Sequence, residues 1–570
     1  MKKLTERQTS WLALLAMWLG LMVMAALRPL AVPDEGRYGE VGRWMLQSGD
    51  WMTPRLNGIP FFHKPPYLYW LQAMSLQVFG INELALRLVP ALHVGLMLVA
   101  LYLATRRFTN ETIARRACIM LGTSLTFLIG GQYINHDMLV AAWIGVAIWC
   151  FAFSFIAGDR PHANLARFGF VACALGVLSK GLIGVALPGL VLFVWLLWTR
   201  QFKKVLYLPW MSGLALLAVI AFPWFVIEQR SFPELFNYMF VNHHFSRFTA
   251  KTFNNVQPWW FYVLSLALLL FPWVFVALGQ WRSRDTGAGE IGQKMLNLGP
   301  LGSSAQAGQV ANERAMGAGL ANNHCVLPLA AWRLCWVWVL AILIFFSIPS
   351  SKLIGYILPV IPPLALLAAV NWQTFAEKNV HAGKLFVAFC AINVGVALGI
   401  VTQVANVTAD GRTQDIAAIL ACESRPADTV YASGAFPYDL PFYAQTARPM
   451  VVLQDWVYER AHAGDGWQRE LFEGAVFEPA SGAVLQQPDV LVQAALVPGN
   501  WWVVPNRDPK KFLPAPGWVL VSQGAGFNLY KSAQGGDASA SSAPSPAPLS
   551  ALKGPISAQN KGLPGCKDHS

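Results

Sequence analysis

The chain has 570 residues, of which 55% are hydrophobic and only 13% charged, and its mean hydropathy is +0.43. This composition excludes an ordinary soluble protein and a disordered one, and it indicates a membrane protein. The net charge of +12 does not indicate nucleic-acid binding, because no long basic block is present and most cations flank hydrophobic segments. The eight cysteines show no CxxC or Cys/His spacing, so we expect neither a disulfide framework nor a zinc finger.

Hydrophobic segments long enough to cross a bilayer, about 20 residues each, recur along residues 1–404. The N-terminal segment has the charge order of a signal peptide, but its apolar run from Trp11 to Ala26 is longer than usual. We therefore predict an uncleaved first helix. The predicted spans are residues 11–27, 86–104, 113–131, 138–157, 167–180, 182–199, 206–227, 259–280, 331–347, 353–370 and 384–404.

Lysine and arginine in the short connections predict which side of the membrane is cytoplasmic. If the spans alternate, most of these cations fall on one side. The outer side then holds residues 28–85, the turn at 132–137, Lys180, the segment 228–258, the turn at 347–352 and everything after about 405.

The remaining regions differ in composition from the spans. Residues 281–330 are rich in Gly, Ala, Ser and Asn and predict a flexible cytoplasmic insert. Residues 405–531 predict a soluble α/β domain, and residues 532–570 predict a disordered tail. Within the α/β domain, strands are predicted at TVYASGAF, MVVLQ, DVLVQAA, WWVVPN and WVLVSQG, and helices near 411–422 and 455–472.

The outer side carries cations that oppose the topological trend. Arginine and lysine are the natural partners of phosphate oxygens, so these cations are candidate phosphate ligands. Lys64 is followed by two prolines that stiffen its backbone, although a lysine that only snorkels to the interface is the alternative. The candidates are Arg37, Lys64, Arg247 and Lys352.

Acidic residues gather at the same membrane surface. Asp34 and Glu35 follow the first span, and Asp137 opens a later one. Such acids suit metal coordination, a general base or recognition of a cationic substrate, with solvated loop acids as the alternative. Lys352 and Tyr356 are four residues apart in a predicted helix, so we expect them to share a face and hold a headgroup.

Histidines on the outer side suggest a metal site. His63, His243 and His244, with Asp34, offer the mixed nitrogen and oxygen ligands of a divalent ion such as zinc or magnesium. Their spacing is non-local, so purely structural histidines are an equal alternative. No organic cofactor is expected.

Five stretches carry a family resemblance: PDEGRY, HKPPYLYW, FGINELALRLVPAL, YINHDML and SKGLIG. They resemble the polyprenyl-phosphate-dependent GT-C glycosyltransferases, which include the protein O-mannosyltransferases, and within them the bacterial lipid A aminoarabinose transferases. The resemblance covers most of residues 1–404. It implies a polytopic α-helical membrane protein of the GT-C type, with about 11–13 transmembrane helices and a C-terminal soluble α/β domain.

The resemblance also implies an activity. A multi-pass enzyme of the bacterial inner membrane, with its site and C-terminal domain facing the periplasm, would transfer 4-amino-4-deoxy-L-arabinose with inversion. The donor would be an undecaprenyl-phosphate-linked amino sugar and the acceptor a lipid A phosphate, giving resistance to polymyxin and cationic peptides. A monomer in contact with membrane lipid is expected, without nucleic acid. By position, Asp34, Lys64 and Asp137 match catalytic residues, and Glu35, Tyr38 and Tyr356 are candidate substrate ligands.

Two other functions stay open. One is a GT-C enzyme that moves a different sugar from polyprenyl phosphate to protein or polysaccharide. The other is a transporter or flippase, which the polar first outer segment, the large C-terminal domain and the scarcity of charges deep within the spans disfavour.

Overall fold

The structure is a computed structural model that describes residues 4–239, 255–282, 327–407, 412–464, 466–506 and 516–533. His243, His244 and Arg247 lie outside the described residues, as do most of the predicted insert at 281–330 and the predicted tail from residue 534 onward.

The chain begins with helix α1 (Glu6–Ala26) and continues into the predicted outer segment, which is folded and is not a loop. This segment contains α2 (Asp34–Ser48), a hairpin of β1 (Arg55–Leu56) and β2 (Ile59–Pro60), and α3 (Tyr67–Phe79). The hairpin turn is Asn57-Gly58, with φ of 53° and 77°. Positive φ at both residues is what a two-residue hairpin turn requires, and Asn-Gly is the sequence that adopts it most readily.

The membrane part follows. Within the described residues, eight helices are long and apolar enough to cross a membrane, or nine if the pair α10–α11, bent by 106°, counts as one. The eleven predicted spans all fall on helical segments, but α5 and α8 are only 12 and 16 residues long. Beyond α1, the α-helices of the membrane part, long and short together, are α4 (Glu83–Phe108), α5 (Glu111–Gly122), α6 (His136–Ile156), α7 (Ala163–Lys180), α8 (Ile183–Trp198), α9 (Trp210–Ser231), α10 (Phe261–Leu269), α11 (Trp273–Arg282), α12 (Leu329–Ser347), α13 (Ile361–Lys378) and α14 (Ala382–Val407).

A row of glycines on α2 explains how closely this helix packs. Gly36, Gly39 and Gly42 are three residues apart and therefore lie along one side of the helix. A Cβ atom on Gly36 would come within 3.0 Å of the backbone at Asp439, and one on Gly39 within 2.7 Å of Leu86 in α4. The small-residue face thus lets α2 lie directly between the membrane helices and the C-terminal domain.

The C-terminal domain contains a six-stranded mixed sheet in the order β5-β4-β3-β6-β8-β7. The pairs among β3, β4, β5 and β6 are parallel, and β8 is antiparallel to both its neighbours. Its elements are α15 (Gln414–Glu423), β3 (Val430–Ser433), α16 (Leu440–Ala444), β4 (Val451–Leu453), α17 (Trp456–His462), α18 (Trp467–Phe477), β5 (Leu485–Gln486), α19 (Val490–Ala494), β6 (Trp501–Pro505), β7 (Trp518–Gln523) and β8 (Phe527–Ser532).

Most of the elements predicted for this domain are confirmed. Four of the five predicted strands are β3, β4, β6 and β7, and the two helical stretches are α15 and the pair α17–α18. The strand predicted at DVLVQAA is wrong, because these residues form α19. Its buried residues Leu491 and Ala494 are three apart, the spacing of a helix turn. Cys422 is disulfide-bonded, which the cysteine spacing did not predict.

The C-terminal domain and the outer segment share one hydrophobic core. A single cluster of buried residues contains Leu56 and Ile59 of the hairpin together with Met450 and Leu471 of the domain. Asn57 exchanges two hydrogen bonds with the backbone of Met450, at 2.8 and 2.7 Å. The outer segment is therefore built into the domain, and the polar residues between them occupy a fixed junction.

Candidate active site at the junction

Asp34 is the first residue of α2 and lies at this junction. Its carboxylate forms an ion pair with Arg37, one helical turn later. Its other oxygen accepts a hydrogen bond of 2.9 Å from the hydroxyl of Tyr133. The Asp34 side chain remains 36% exposed, so its carboxylate is both held in place and open to a ligand.

Arg37 joins the membrane part to the C-terminal domain. One terminal nitrogen pairs with Asp34 and the other with Glu470 of α18. Glu470 also accepts a 3.0 Å hydrogen bond from the Tyr438 hydroxyl, and the guanidinium carbon lies 4.9 Å from the centre of the Tyr38 ring. The Arg37 Nε atom is buried without a hydrogen-bond partner among the described residues. A buried donor left open in this way suits a substrate oxygen.

Tyr38 lies between this cluster and the start of α6. Its ring meets the edge of the His136 ring at 5.2 Å, and His136 Nε2 is 3.3 Å from the hydroxyl of Tyr69. Burial raises the pKa of the Tyr38 phenol, and the negative charges of Asp34, Glu470 and Asp137 act in the same direction. The phenol therefore stays protonated at neutral pH and can donate a hydrogen bond.

Asp137 forms a second ion pair close by. It lies in the first turn of α6, where the Asn135 side chain accepts its backbone N–H at 3.0 Å, and it pairs with Lys180 at the end of α7. The Lys180 ammonium lies 4.5 Å from the centre of the Tyr356 ring. A Cβ atom on Gly355 would collide with the Asp137 carboxylate, so glycine is what lets this carboxylate fit.

The structure brings Asp34, Arg37, Tyr38, Asp137 and Tyr356 to one junction. Asp34 and Asp137 both lie near enough to Tyr38 that their negative charges raise the pKa of its phenol.

Glu35 is a correction, because it does not line the junction. Its side chain is fully buried and accepts hydrogen bonds from Arg28 and Arg87, at 2.8 Å in each case. Two backbone N–H groups, of Ala31 and Ile134, complete its partners at 2.8 and 3.1 Å. The Glu35 carboxylate has no surface exposed towards the junction, and it joins the start of α2 to α4 and to the segment after α1 instead.

Lys352 is a second correction. The pairing with Tyr356 assumed an α-helix, but Ile354–Val360 form a 3₁₀ helix that starts after Lys352. The Lys352 side chain is buried, and its ammonium donates to the backbone carbonyls of Pro349 and Gln257 at 2.6 and 3.0 Å. It anchors the turn before the 3₁₀ helix through these two hydrogen bonds.

His63 and Lys64 lie on the segment between β2 and α3. The His63 ring stacks on Phe61 at 4.5 Å, and its Nδ1 atom is 4.0 Å from Glu470. Lys64 is half-buried and lies within electrostatic range of His136. In the described part of the chain, no group of three or more His, Cys, Asp or Glu side chains is arranged to hold a metal ion. The metal prediction therefore stays a prediction, because His243 and His244 are not described.

Four residues of the junction were not predicted as site residues. Tyr133 and Lys180 lie inside two of the stretches that carry the resemblance, YINHDML and SKGLIG, and Lys180 is one of the predicted outer cations. Tyr438 and Glu470 come from the C-terminal domain, more than 400 residues after Arg37, and no motif in the sequence marks them. Their contribution becomes visible only when α18 is docked against α2.

Comparisons with known proteins identify a matching family model and similar proteins. A family model for dolichyl-phosphate-mannose-protein mannosyltransferases matches residues 63–227. Undecaprenyl phosphate-alpha-4-amino-4-deoxy-L-arabinose arabinosyl transferase 1 of Sodalis glossinidius is 32% identical over 396 residues, 68% of this chain and 63% of that protein. Transferase 2 of the same name from Pseudomonas fluorescens is 30% identical over 368 residues, 62% of this chain and 58% of that protein. The chain thus spans less than two thirds of the length of either relative.

The fold is also similar to a solved structure. ArnT from Cupriavidus metallidurans, in a crystal structure bound to undecaprenyl phosphate, matches with a TM-score of 0.71 at 23% identity, covering 92% of this chain and 98% of that one. These comparisons confirm the predicted fold class, a polytopic α-helical membrane protein of the GT-C type with a C-terminal α/β domain. They also confirm the resemblance from which it was predicted.

Proposed function

We propose that this GT-C membrane protein is a glycosyltransferase that moves 4-amino-4-deoxy-L-arabinose from undecaprenyl phosphate to a phosphate group of lipid A. The observation that carries the proposal is the junction itself. Ionised side chains of the membrane part and of the C-terminal domain meet there around Arg37. The relatives' names supply the donor and the sugar, and the bound lipid in the ArnT structure supports a lipid-linked donor.

The donor's leaving group sets the first requirement. Breaking the bond between the anomeric carbon and the phosphate oxygen releases undecaprenyl phosphate, whose negative charge must be stabilised by nearby cations. Lys64 is the predicted anchor for that charge, with Arg247 as the second candidate. Lys180 forms an ion pair with Asp137. Its ammonium is a local positive charge, but the pair as a whole is neutral.

The acceptor sets the second requirement. A lipid A phosphate is already anionic at neutral pH, so its oxygen attacks the anomeric carbon without being deprotonated. Asp34 is then an orienting group, or a partner for the sugar's ammonium, and not a general base. Arg37 is flanked by two carboxylates and is therefore better suited to hold Asp34 and Glu470 in place than to neutralise a phosphate. Single displacement would invert the anomeric centre.

The proposed location follows from the substrates and the topology. Cations in the short connections support a location of the junction and the C-terminal domain on the outer, periplasmic face of the bacterial inner membrane. Adding an amino sugar to lipid A lowers the negative charge of the outer surface. Weaker binding of polymyxin and other cationic peptides would follow.

Mass spectrometry of lipid A from cells with and without the protein tests the proposal. We expect lipid A to carry added aminoarabinose only when the protein is present together with its donor. Unmodified lipid A in cells that contain both the active protein and the donor would rule the proposal out.

A second candidate is transfer of a mannose-like sugar to protein, which the family match over residues 63–227 favours. A protein hydroxyl has a pKa far above 7, so this reaction requires a base, and Asp34 would take that role. Glycoproteomics on the same two cell lines separates the candidates, because only this one adds hexose to periplasmic proteins.

Lys180→Met should lower sugar transfer about tenfold to a hundredfold, because it removes the charge beside Tyr356 and leaves Asp137 without its counter-ion. Initial rates with purified protein and lipid-linked donor measure the effect. Lys203→Met is the control, since Lys203 is exposed in the connection between α8 and α9. Equal rates in the two variants would mean that the Asp137–Lys180 pair has no part in the reaction.

Chelation tests the metal prediction. If His63, His243 and His244 hold a divalent ion, removing it with a chelator should abolish transfer, and adding zinc or magnesium back should restore it. Transfer that is unchanged after exhaustive chelation, with metal content verified by elemental analysis, would contradict a metal at this place.

A further inference from the structure

We infer that the β1–β2 hairpin and α18 form a joint that holds Glu470 in the active site, with Arg55, Gly474 and Glu478 as its positioning residues. This hairpin–α18 joint consists of the Arg55–Glu478 ion pair and the contact of Gly474 with Pro60. The inference rests on the proposed function only where it is tested by activity.

The first part of the joint is a close contact between backbones. Gly474 lies one turn after Glu470 in α18, so the two residues are on the same face of the helix. A Cβ atom on Gly474 would collide with the carbonyl oxygen of Pro60 and approach the Ile59 side chain at 2.7 Å. A strand carbonyl cannot rotate away as a side chain can. Any larger residue must therefore push α18 off the hairpin.

The second part is an ion pair at the end of α18. Arg55 of β1 pairs with Glu478, directly after the helix. The same guanidinium donates a 3.0 Å hydrogen bond to the carbonyl of Gly58 in the hairpin turn. The Arg55 side chain is 15% exposed and that of Glu478 33%, so the pair is partly shielded from water, unlike a fully exposed surface pair.

The hairpin is rigid enough to serve as an anchor. Asn57 is fixed on both sides of its amide by Met450. Gly58, with positive φ, would bring a Cβ atom to 2.8 Å from the Pro449 ring. The turn therefore lies against the segment that enters β4, and the ion pair and backbone contact attach α18 to a fixed element.

The contact at Gly474 also determines the position of Glu470. Glu470 is one turn from Gly474, and its carboxylate is one of two that fix the Arg37 guanidinium. A displacement of α18 moves Glu470 away from Arg37 and removes one of the two carboxylates that fix this guanidinium beside Asp34. Because a misplacement of about 1 Å can cost about a hundredfold in rate, a small shift at Gly474 is sufficient to reduce turnover.

A cross-linking experiment tests the joint without relying on the substrate. The full-length protein with R37C/E470C is treated with a short bifunctional thiol reagent, and the joined peptides are quantified by mass spectrometry. We expect the yield to fall when Gly474→Ala is added and to stay at the parent level with Gly464→Ala. Gly464 is the matched control, because a Cβ atom there meets nothing within 4 Å. A parent-like yield with Gly474→Ala would overturn the inference.

Kinetics then test whether Gly474 acts through Glu470. We expect Gly474→Ala to lower kcat about tenfold to a hundredfold, and to add nothing in an E470Q background. Arg55→Glu and Glu478→Arg should each lower kcat, and the charge-swapped double variant should recover most of the loss. If kcat of the G474A/E470Q double variant instead falls by the product of the two single losses, the two substitutions act independently. That result would show a general structural defect and overturn the positioning role. If the wild-type protein transfers no amino sugar, the proposed function fails while the cross-linking result still decides the joint.

Discussion

Asp34→Asn should reduce sugar transfer about a hundredfold to a thousandfold, the range found when one preorganised electrostatic contact is removed from an active site. The substitution keeps the size of the side chain and removes its charge. It weakens the ion pair with Arg37 and the hydrogen bond from Tyr133, and it removes the partner proposed for the sugar's ammonium. Rates with purified protein and lipid-linked donor measure the loss, and thermal unfolding checks that the variant is folded.

The residual activity of this variant carries further information. If Asp34 orients groups around an anionic acceptor, the remaining rate should keep the wild-type dependence on pH. If Asp34 is a general base, the remaining rate should rise with hydroxide concentration. Asp159→Asn is the control, since Asp159 is an exposed acid in the connection between α6 and α7. Near-normal transfer by Asp34→Asn would remove Asp34 from the mechanism.

The sequence was sufficient for the membrane part because a bilayer imposes length and apolarity on every helix that crosses it. The predicted spans therefore fall on helices, and Asp137 was correctly placed at a span end. The two shortest helices are α5, which ends before a separate π-helical turn at Thr126–Gly130, and α8, which begins two residues after Gly181.

The outer segment shows why local pattern was not sufficient for the site. Once Asp34–Ser48 is known to be a helix, Asp34, Arg37 and Tyr38 are at positions i, i+3 and i+4 and must share a face. Read as a loop, the same letters carry no such constraint. The strand-like pattern of DVLVQAA and the assumed helix after Lys352 fail for the same reason, because short segments take their structure from what they pack against.

The contribution of the C-terminal domain lay beyond sequence reasoning altogether. Glu470 is separated from Arg37 by 433 residues, and one acid in an ordinary amphipathic helix carries no signal of its own. Its position depends on the packing of Gly474 against Pro60, a tertiary contact that neither propensity nor composition encodes. The site is therefore a property of the docked domain.

Glu35→Gln should destabilise the protein by about 3–5 kcal/mol, the usual cost of breaking a buried ion pair. Arg28 and Arg87 are 7% and 0% exposed, and without the carboxylate both would be buried cations lacking a counter-ion. Since a domain is stable by only about 5–15 kcal/mol, little folded protein should reach the membrane. Yield and thermal unfolding in detergent measure this, and Glu6→Gln, at an exposed position in the first turn of α1, is the control.

The dependence on pH distinguishes this role from a catalytic one. Burial acts to raise the pKa of Glu35, but the charges of Arg87 and Arg28 and their hydrogen bonds outweigh it and lower the pKa from 4.5 to about 2. The stabilisation is therefore complete above pH 4.5 and is lost as the pH falls towards 2. Wild type and Glu35→Gln should differ in stability by a constant amount between pH 5 and 8, and the difference should shrink in acid. A stable Glu35→Gln variant with impaired transfer would instead return Glu35 to the substrate site. Both adjacent acids would then act in the site. In this structure the two side chains point to different sides of α2, Asp34 towards the junction and Glu35 towards Arg28 and Arg87. We therefore assign activity to Asp34 and stability to Glu35.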